Sequence, residues 1–97
     1  LSRAVVAARG VLDAAAAEAA TLRKDVIPRA EQALASARNG YSRGAFTYLE
    51  VFSAQTALFD FRAKEVDALA RAHLAQAEFD RLTARLAAPT VKEFSNE

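Results

Sequence analysis

Glycine and proline are nearly absent from this chain, three of one and two of the other, and their positions divide it. Gly40 and Gly44 bracket a short polar stretch, Asn39 to Phe46, between two long alanine-rich runs. Glycine is favoured where a helix ends and the chain reverses, and is costly inside a helix. The stretch therefore reads as a turn, and the runs read as the two legs of an antiparallel helical hairpin. The turn is then the distal tip, where contacts with other molecules should be sought.

The second leg has an apolar seam at Val51, Ala54, Leu58, Phe61, Ala68, Ala72, Ala75, Phe79, Leu82 and Leu86. Its spacings alternate between three and four, with Glu65 as the polar interruption, which is the heptad rhythm of a coiled coil. A neighbouring stripe of Phe59, Ala63, Val66, Ala70, Leu74 and Ala77 widens the apolar arc beyond what one partner helix needs. In the first leg Leu1, Val5, Ala8, Leu12, Ala15, Ala19, Leu22 and Val26 keep the same rhythm. The register then slips near Pro28 and continues through Ala30, Leu34, Ala37 and Tyr41. Proline inside a helix removes a donor and clashes with the carbonyl four residues back, that of Lys24, so a bend or local break is expected there.

These patterns predict an all-α fold, a long antiparallel two-helix coiled-coil hairpin. The first helix is expected over 1–39, the tip turn over 40–46, the second helix over 47–88 and a polar tail over 89–97, after Pro89. Asn39 and Gly40 suit a C-terminal cap. Thr47 with Glu50 matches a capping box, and Phe46 is placed to staple against Val51. Alanine makes up about a quarter of the chain and large apolar residues are sparse, so a lone hairpin buries little area per ordered residue. Self-association is expected, and an apolar heptad already running at Leu1 suggests a segment of a longer protein.

Thirteen basic and twelve acidic residues are scattered along both legs for a net charge of +1, which provides no field for nucleic acid or an anionic membrane. No apolar run approaches the roughly 18 residues of a membrane-spanning helix. Without cysteine there is neither a disulfide nor a thiolate metal site. His73 is the single histidine and lacks the Glu-x-x-His partner of a metal-binding bundle. Ser36, Ser42 and Ser53 have no nearby histidine and no nucleophile elbow. The sequence offers no catalytic residue, cofactor site or metal ligand set, so no enzyme is expected.

The segment from Ala37 to Leu58 runs Gly40-Tyr41-Ser42-Arg43-Gly44, then Ala45-Phe46-Thr47, then Tyr48-Leu49-Glu50-Val51, with Ala54-Gln55 ahead of Leu58. It resembles the signature of TolC-like outer-membrane efflux proteins, and Ala75 to Thr83 looks like the family's closing helix. Pro28 ahead of Ala30, Ala33 and Leu34 is similar to the CzcC-like heavy-metal branch. The resemblance implies a homotrimeric outer-membrane channel whose periplasmic tunnel includes this hairpin, working with a periplasmic adaptor and a proton-driven inner-membrane pump. It places Gly40, Tyr41, Ser42, Arg43, Gly44 and Ala45 at the adaptor-docking tip. It also puts Tyr41, Phe46, Glu50 and Ser53 at the gate and lumen, with Glu50 attracting cations. Phe46 and Ser53 depart from the family pattern, which has an arginine and a second acid there, so an apolar constriction is expected in place of a salt-linked gate.

The rival reading is a stand-alone coiled-coil hairpin that joins two partners without any transport role. A full-length gene lacking two helical-hairpin repeats interspersed with membrane strands would favour that rival.

Overall fold

The computed structural model describes residues 2–87. Among them there are helices and turns and no strand, arranged as α1 (Arg3–Thr21), a π turn (Leu22–Val26), α2 (Ile27–Ser42) and α3 (Tyr48–Leu86). The first three elements form one leg and α3 the other. The resulting rod measures 79 × 22 × 17 Å. At 1.5 Å per residue the 39 residues of α3 span about 58 Å.

Each leg starts with local capping. The Ser2 hydroxyl accepts the Val5 N–H at 3.2 Å ahead of α1, and Thr47 opens α3 with the expected capping box. Between the legs the seam follows the predicted rhythm. Val51, Leu58, Ala68 and Ala75 are buried on α3, facing Val5, Ala8, Ala15, Ala19, Leu22, Ile27, Leu34 and Ala37. Six of these twelve buried side chains are alanines, so the legs are joined by a thin layer. The larger side chains gather towards the tip, where Leu22, Ile27, Leu34, Ala37, Val51 and Leu58 form one cluster. At the far end of the α3 seam Leu86, expected to be covered, is exposed.

The register slip has a definite structural form. Continuing as an α-helix from Leu22 would bring Arg29, Ala33 and Ser36 onto the seam. The first leg instead contains one π turn, in which the Ile27 N–H donates to the Leu22 carbonyl five residues back. The extra residue rotates the following helix so that Ile27, Leu34 and Ala37 are buried while Arg29, Ala33 and Ser36 stay exposed. Pro28 sits at the start of α2, where its missing N–H costs least. The break anticipated at Pro28 is thus a widening of the hydrogen-bond ladder just before it, and the backbone stays right-handed helical at Thr21, Val26 and Ile27.

Among the described residues two ion pairs bridge the legs, Arg62 to Glu31 at 3.1 Å and Arg71 to Glu18 at 2.8 Å. Both are exposed, so they align the legs more than they stabilise them. The hydrogen bond to Asp67, and after it that to Glu18, raises the Arg71 guanidinium above its ordinary value.

Two sequence expectations change at the turn. The first helix does not stop at residue 39 but runs through Asn39 and Gly40 to Ser42, because the true cap lies at Arg43 and Gly44. Tyr41, expected in the seam, is 50% exposed, and Gly40 is buried in its place. The tail expected over 89–97, and Ala88 as the last helical residue, lie outside the described residues.

The phase argument makes a direct prediction. In a Pro28→Ala background, deleting Lys24 should turn the π turn into ordinary α-helix and keep every seam residue in place, changing stability by less than about 1 kcal/mol. Deleting Ala33 should pull either Ile27 or Leu34 off the seam and cost about 2 kcal/mol or more. Thermal melting of the helical circular dichroism signal distinguishes the two deletions.

Candidate functional site

At the tip the chain must satisfy the last carbonyls of α2, reverse, and satisfy the first amides of α3 within a few residues. Gly44 takes φ = +77°, the left-handed conformation that L side chains avoid. Its N–H donates to the Tyr41 carbonyl at 3.0 Å, and the Ala45 N–H donates to the Gly40 carbonyl at 2.8 Å. This pair of bonds is a complete Schellman motif with Arg43 as the C-cap. The Phe46 N–H also reaches the Gly40 carbonyl, at 3.1 Å, and the Ser42 hydroxyl donates to the Asn39 carbonyl at 2.8 Å.

On the other side of the turn the Thr47 N–H donates to Glu50 Oε2 at 2.8 Å, and the Glu50 N–H donates to the Thr47 hydroxyl at 3.3 Å. The Glu50 carboxylate is therefore held against the start of α3, where the helix dipole favours a negative charge. Ser53 lies one turn further along and is exposed.

Gly40 and Phe46 explain each other. A Cβ placed on Gly40 would lie 2.7 Å from Cγ and Cε2 of the Phe46 ring, closer than carbon atoms can pack. Gly40 thus has ordinary helical geometry and is needed because the aromatic ring lies against the helix backbone. It is buried under that ring and offers no docking surface of its own. Phe46 itself is 44% exposed.

Among the six tip residues expected to dock, Tyr41, Ser42, Arg43, Gly44 and Ala45 are exposed. Tyr41 meets Tyr48 across the turn in an edge-on pair, with ring centroids 5.7 Å apart. Sequence reasoning passed over Tyr48 as a site residue, although two tyrosines straddling a reversal of this length were a readable signal. With Leu49 at 70% exposure, the tip shows aromatic and aliphatic surface on a frame held by main-chain bonds. Arg38 and Arg43 have no ion-pair partner among the described residues.

Away from the tip, the described residues contain no group of three or more metal-ligating side chains. His73 is exposed beside Leu12, Ala72 and Gln76. An open groove of about 700 Å³ runs beside the π turn, with Leu22, Val26 and Phe61 as apolar lining and Glu18, Thr21, Lys64 and Asp67 around them. No described helix is long and apolar enough to cross a membrane.

A slender hairpin of this form, closed by this tip sequence, is similar to a segment of a TolC-like outer-membrane efflux protein. The similarity is to the cobalt-zinc-cadmium resistance protein CzcC of Cupriavidus metallidurans, 36% identical over 85 residues. The match covers 88% of this chain but 20% of CzcC, so the chain corresponds to about a fifth of that protein. No family model matches the chain, and no solved structure matches it.

The tip geometry predicts opposite signs for one substitution in two backgrounds. Gly40→Ala gains up to about 1 kcal/mol of helix propensity and loses about 1–3 kcal/mol to the ring clash, so it should destabilise the hairpin. In a Phe46→Ala background the clash is gone and the same change should stabilise. A double-mutant cycle read by chemical denaturation measures the coupling. Gly44→Ala should cost about 1–2 kcal/mol in either background, because its penalty comes from backbone handedness.

Proposed function

We propose that this hairpin is part of the periplasmic tunnel wall of a trimeric outer-membrane channel for heavy-metal efflux. In this reading its tip docks a periplasmic adaptor and gates export driven by an inner-membrane proton-coupled pump. The observation that supports it best is a second apolar line on α3. Leu49, Phe52, Phe59, Ala63, Val66 and Ala70 follow spacings of three and four with Thr56 as the one polar interruption, and all are exposed. Phe59 is 72% exposed, Leu49 70%, Val66 67% and Phe52 54%.

At about 100° per residue this line lies roughly 150° around the helix from the seam that holds the hairpin together. A helix with partners on two nearly opposite sides is suited to a wall. Each helix then turns the wall by about 30°, so a ring closes with about twelve helices. Three protomers with two hairpins each supply that number. A stand-alone coiled coil needs only the first seam, and the second would be an exposed liability.

Within such a wall Tyr41, Ser42, Arg43, Gly44 and Ala45 form the docking edge. Phe46 supplies an apolar constriction in which the six-membered rings of the three copies converge. Glu50 would attract cations at the lumen and Ser53 would line it. The likeness to a cobalt-zinc-cadmium resistance protein favours divalent cations as cargo.

Two experiments test this reading. The purified chain should associate at micromolar concentration, and Phe59→Glu with Val66→Glu should return it to a monomer in sedimentation equilibrium; a wild-type monomer would remove the second-seam argument. In a zinc-sensitive host that depends on CzcC, replacing the matching segment of CzcC with this hairpin should keep zinc tolerance. The double glutamate variant of that chimera should lose it. Loss of tolerance in the unmodified chimera, with normal membrane levels, would count against the channel reading.

A further inference from the structure

One residue pair at the reversal carries chemistry of its own, for Asn39 is followed directly by Gly40. The backbone nitrogen of the residue after an asparagine can attack the side-chain amide carbon, Cγ. Glycine permits this most readily, because it has no side chain to shield its nitrogen and its backbone rotates freely. In the step itself the Gly40 nitrogen loses its proton and bonds to Asn39 Cγ, and the amide nitrogen leaves as ammonia. The product is a five-membered succinimide. Water then opens that ring at one carbonyl or the other, leaving aspartate or isoaspartate at position 39.

Closing the ring requires the Gly40 nitrogen to rotate about the Asn39 Cα–C bond until it eclipses Cβ. Within α2, which runs through both residues to Ser42, a helical ψ of about −42° holds the nitrogen away from that position. The peptide group that would have to rotate is also pinned at its oxygen. The Asn39 carbonyl accepts the Ser42 hydroxyl at 2.8 Å and the Arg43 N–H at 3.2 Å. On the other side Gly40 is buried under the Phe46 ring, and its own carbonyl accepts the Ala45 and Phe46 N–H groups at 2.8 and 3.1 Å. Asn39 by contrast is exposed, so water reaches the reacting amide. The reactive pair and its restraints share one turn.

We propose that Asn39 and Gly40 form a self-modification site, held inactive by the folded tip and released whenever the tip opens. Ser42 and Phe46 are the restraining side chains. Conversion then undoes the tip that restrained it. An aspartate at 39 sets a negative charge in the last turn of α2, where the helix dipole disfavours it. An isoaspartate routes the main chain through the former side chain and adds an atom to the backbone. The α2 ladder is then interrupted, and the Gly40 carbonyl is drawn away from the Ala45 and Phe46 amides that close the helix. The pair thus keeps a chemical record of tip opening, whatever the tip contacts, and does not rest on the channel reading.

Peptide mapping by mass spectrometry tests this on the whole chain, held in warm, mildly alkaline buffer while Asn39 converts from amide to acid. The folded chain should convert at least about tenfold more slowly than the same chain unfolded in guanidinium chloride. Equal rates, or no conversion in the unfolded chain, would overturn the proposal. Ser42→Ala and Phe46→Ala should each raise the folded rate about threefold or more and leave the unfolded rate unchanged. Ser42 is exposed and off the seam, so its variant keeps the hairpin and remains informative if Phe46→Ala loosens more than the tip. Wild-type folded rates in both variants would refute the restraint. Chain converted in guanidinium chloride and then refolded should melt about 4 °C or more below unconverted chain taken briefly through the same treatment. Identical melting of the two would refute the loss of the tip.

Discussion

The whole rod depends on keeping a thin apolar seam in phase along its length. Alanine contributes little burial per residue, so the hairpin cannot afford a stretch in which polar residues face the partner leg. A single extra residue at Leu22–Val26 is the means by which Ile27, Leu34 and Ala37 reach the seam. Without that correction Arg29 and Ser36 would face α3, and the best-packed part of the molecule would not form.

The tip follows a different logic, in which local bonds do most of the work. A Schellman motif closes α2 and a capping box opens α3, with Phe46 lying on Gly40 between them. These elements need no partner protein, so the tip holds its shape while leaving Tyr41, Tyr48, Leu49 and Arg43 exposed. A stiff, exposed edge would lose little conformational entropy in any contact it made. The Glu50 carboxylate that caps α3 stays exposed at the tip.

Much of this was readable beforehand. The fold class, the α3 seam, the capping box and the register slip near Pro28 all come from spacing and from short-range chemistry. What spacing missed has a common cause. Glycine near a turn usually signals a cap, which ends the expected first helix at Asn39 with Gly40 in the turn, but two glycines are available and only Gly44 takes the left-handed conformation. Gly40 serves a contact with Phe46, six residues away across a reversal, and no periodicity reports such a contact. The Tyr41–Tyr48 pair escaped notice for the same reason.

The sequence by itself determined that the chain is helical, where it reverses, and which residues of α3 face inward, because helix periodicity and capping act over three or four residues. Tertiary structure decided how the slip near Pro28 is resolved, which glycine turns the chain, and which apolar line is left uncovered. Those outcomes depend on what the opposite leg presents at each level, and two legs that run antiparallel bring together residues far apart in sequence, such as Glu18 and Arg71, 53 positions apart.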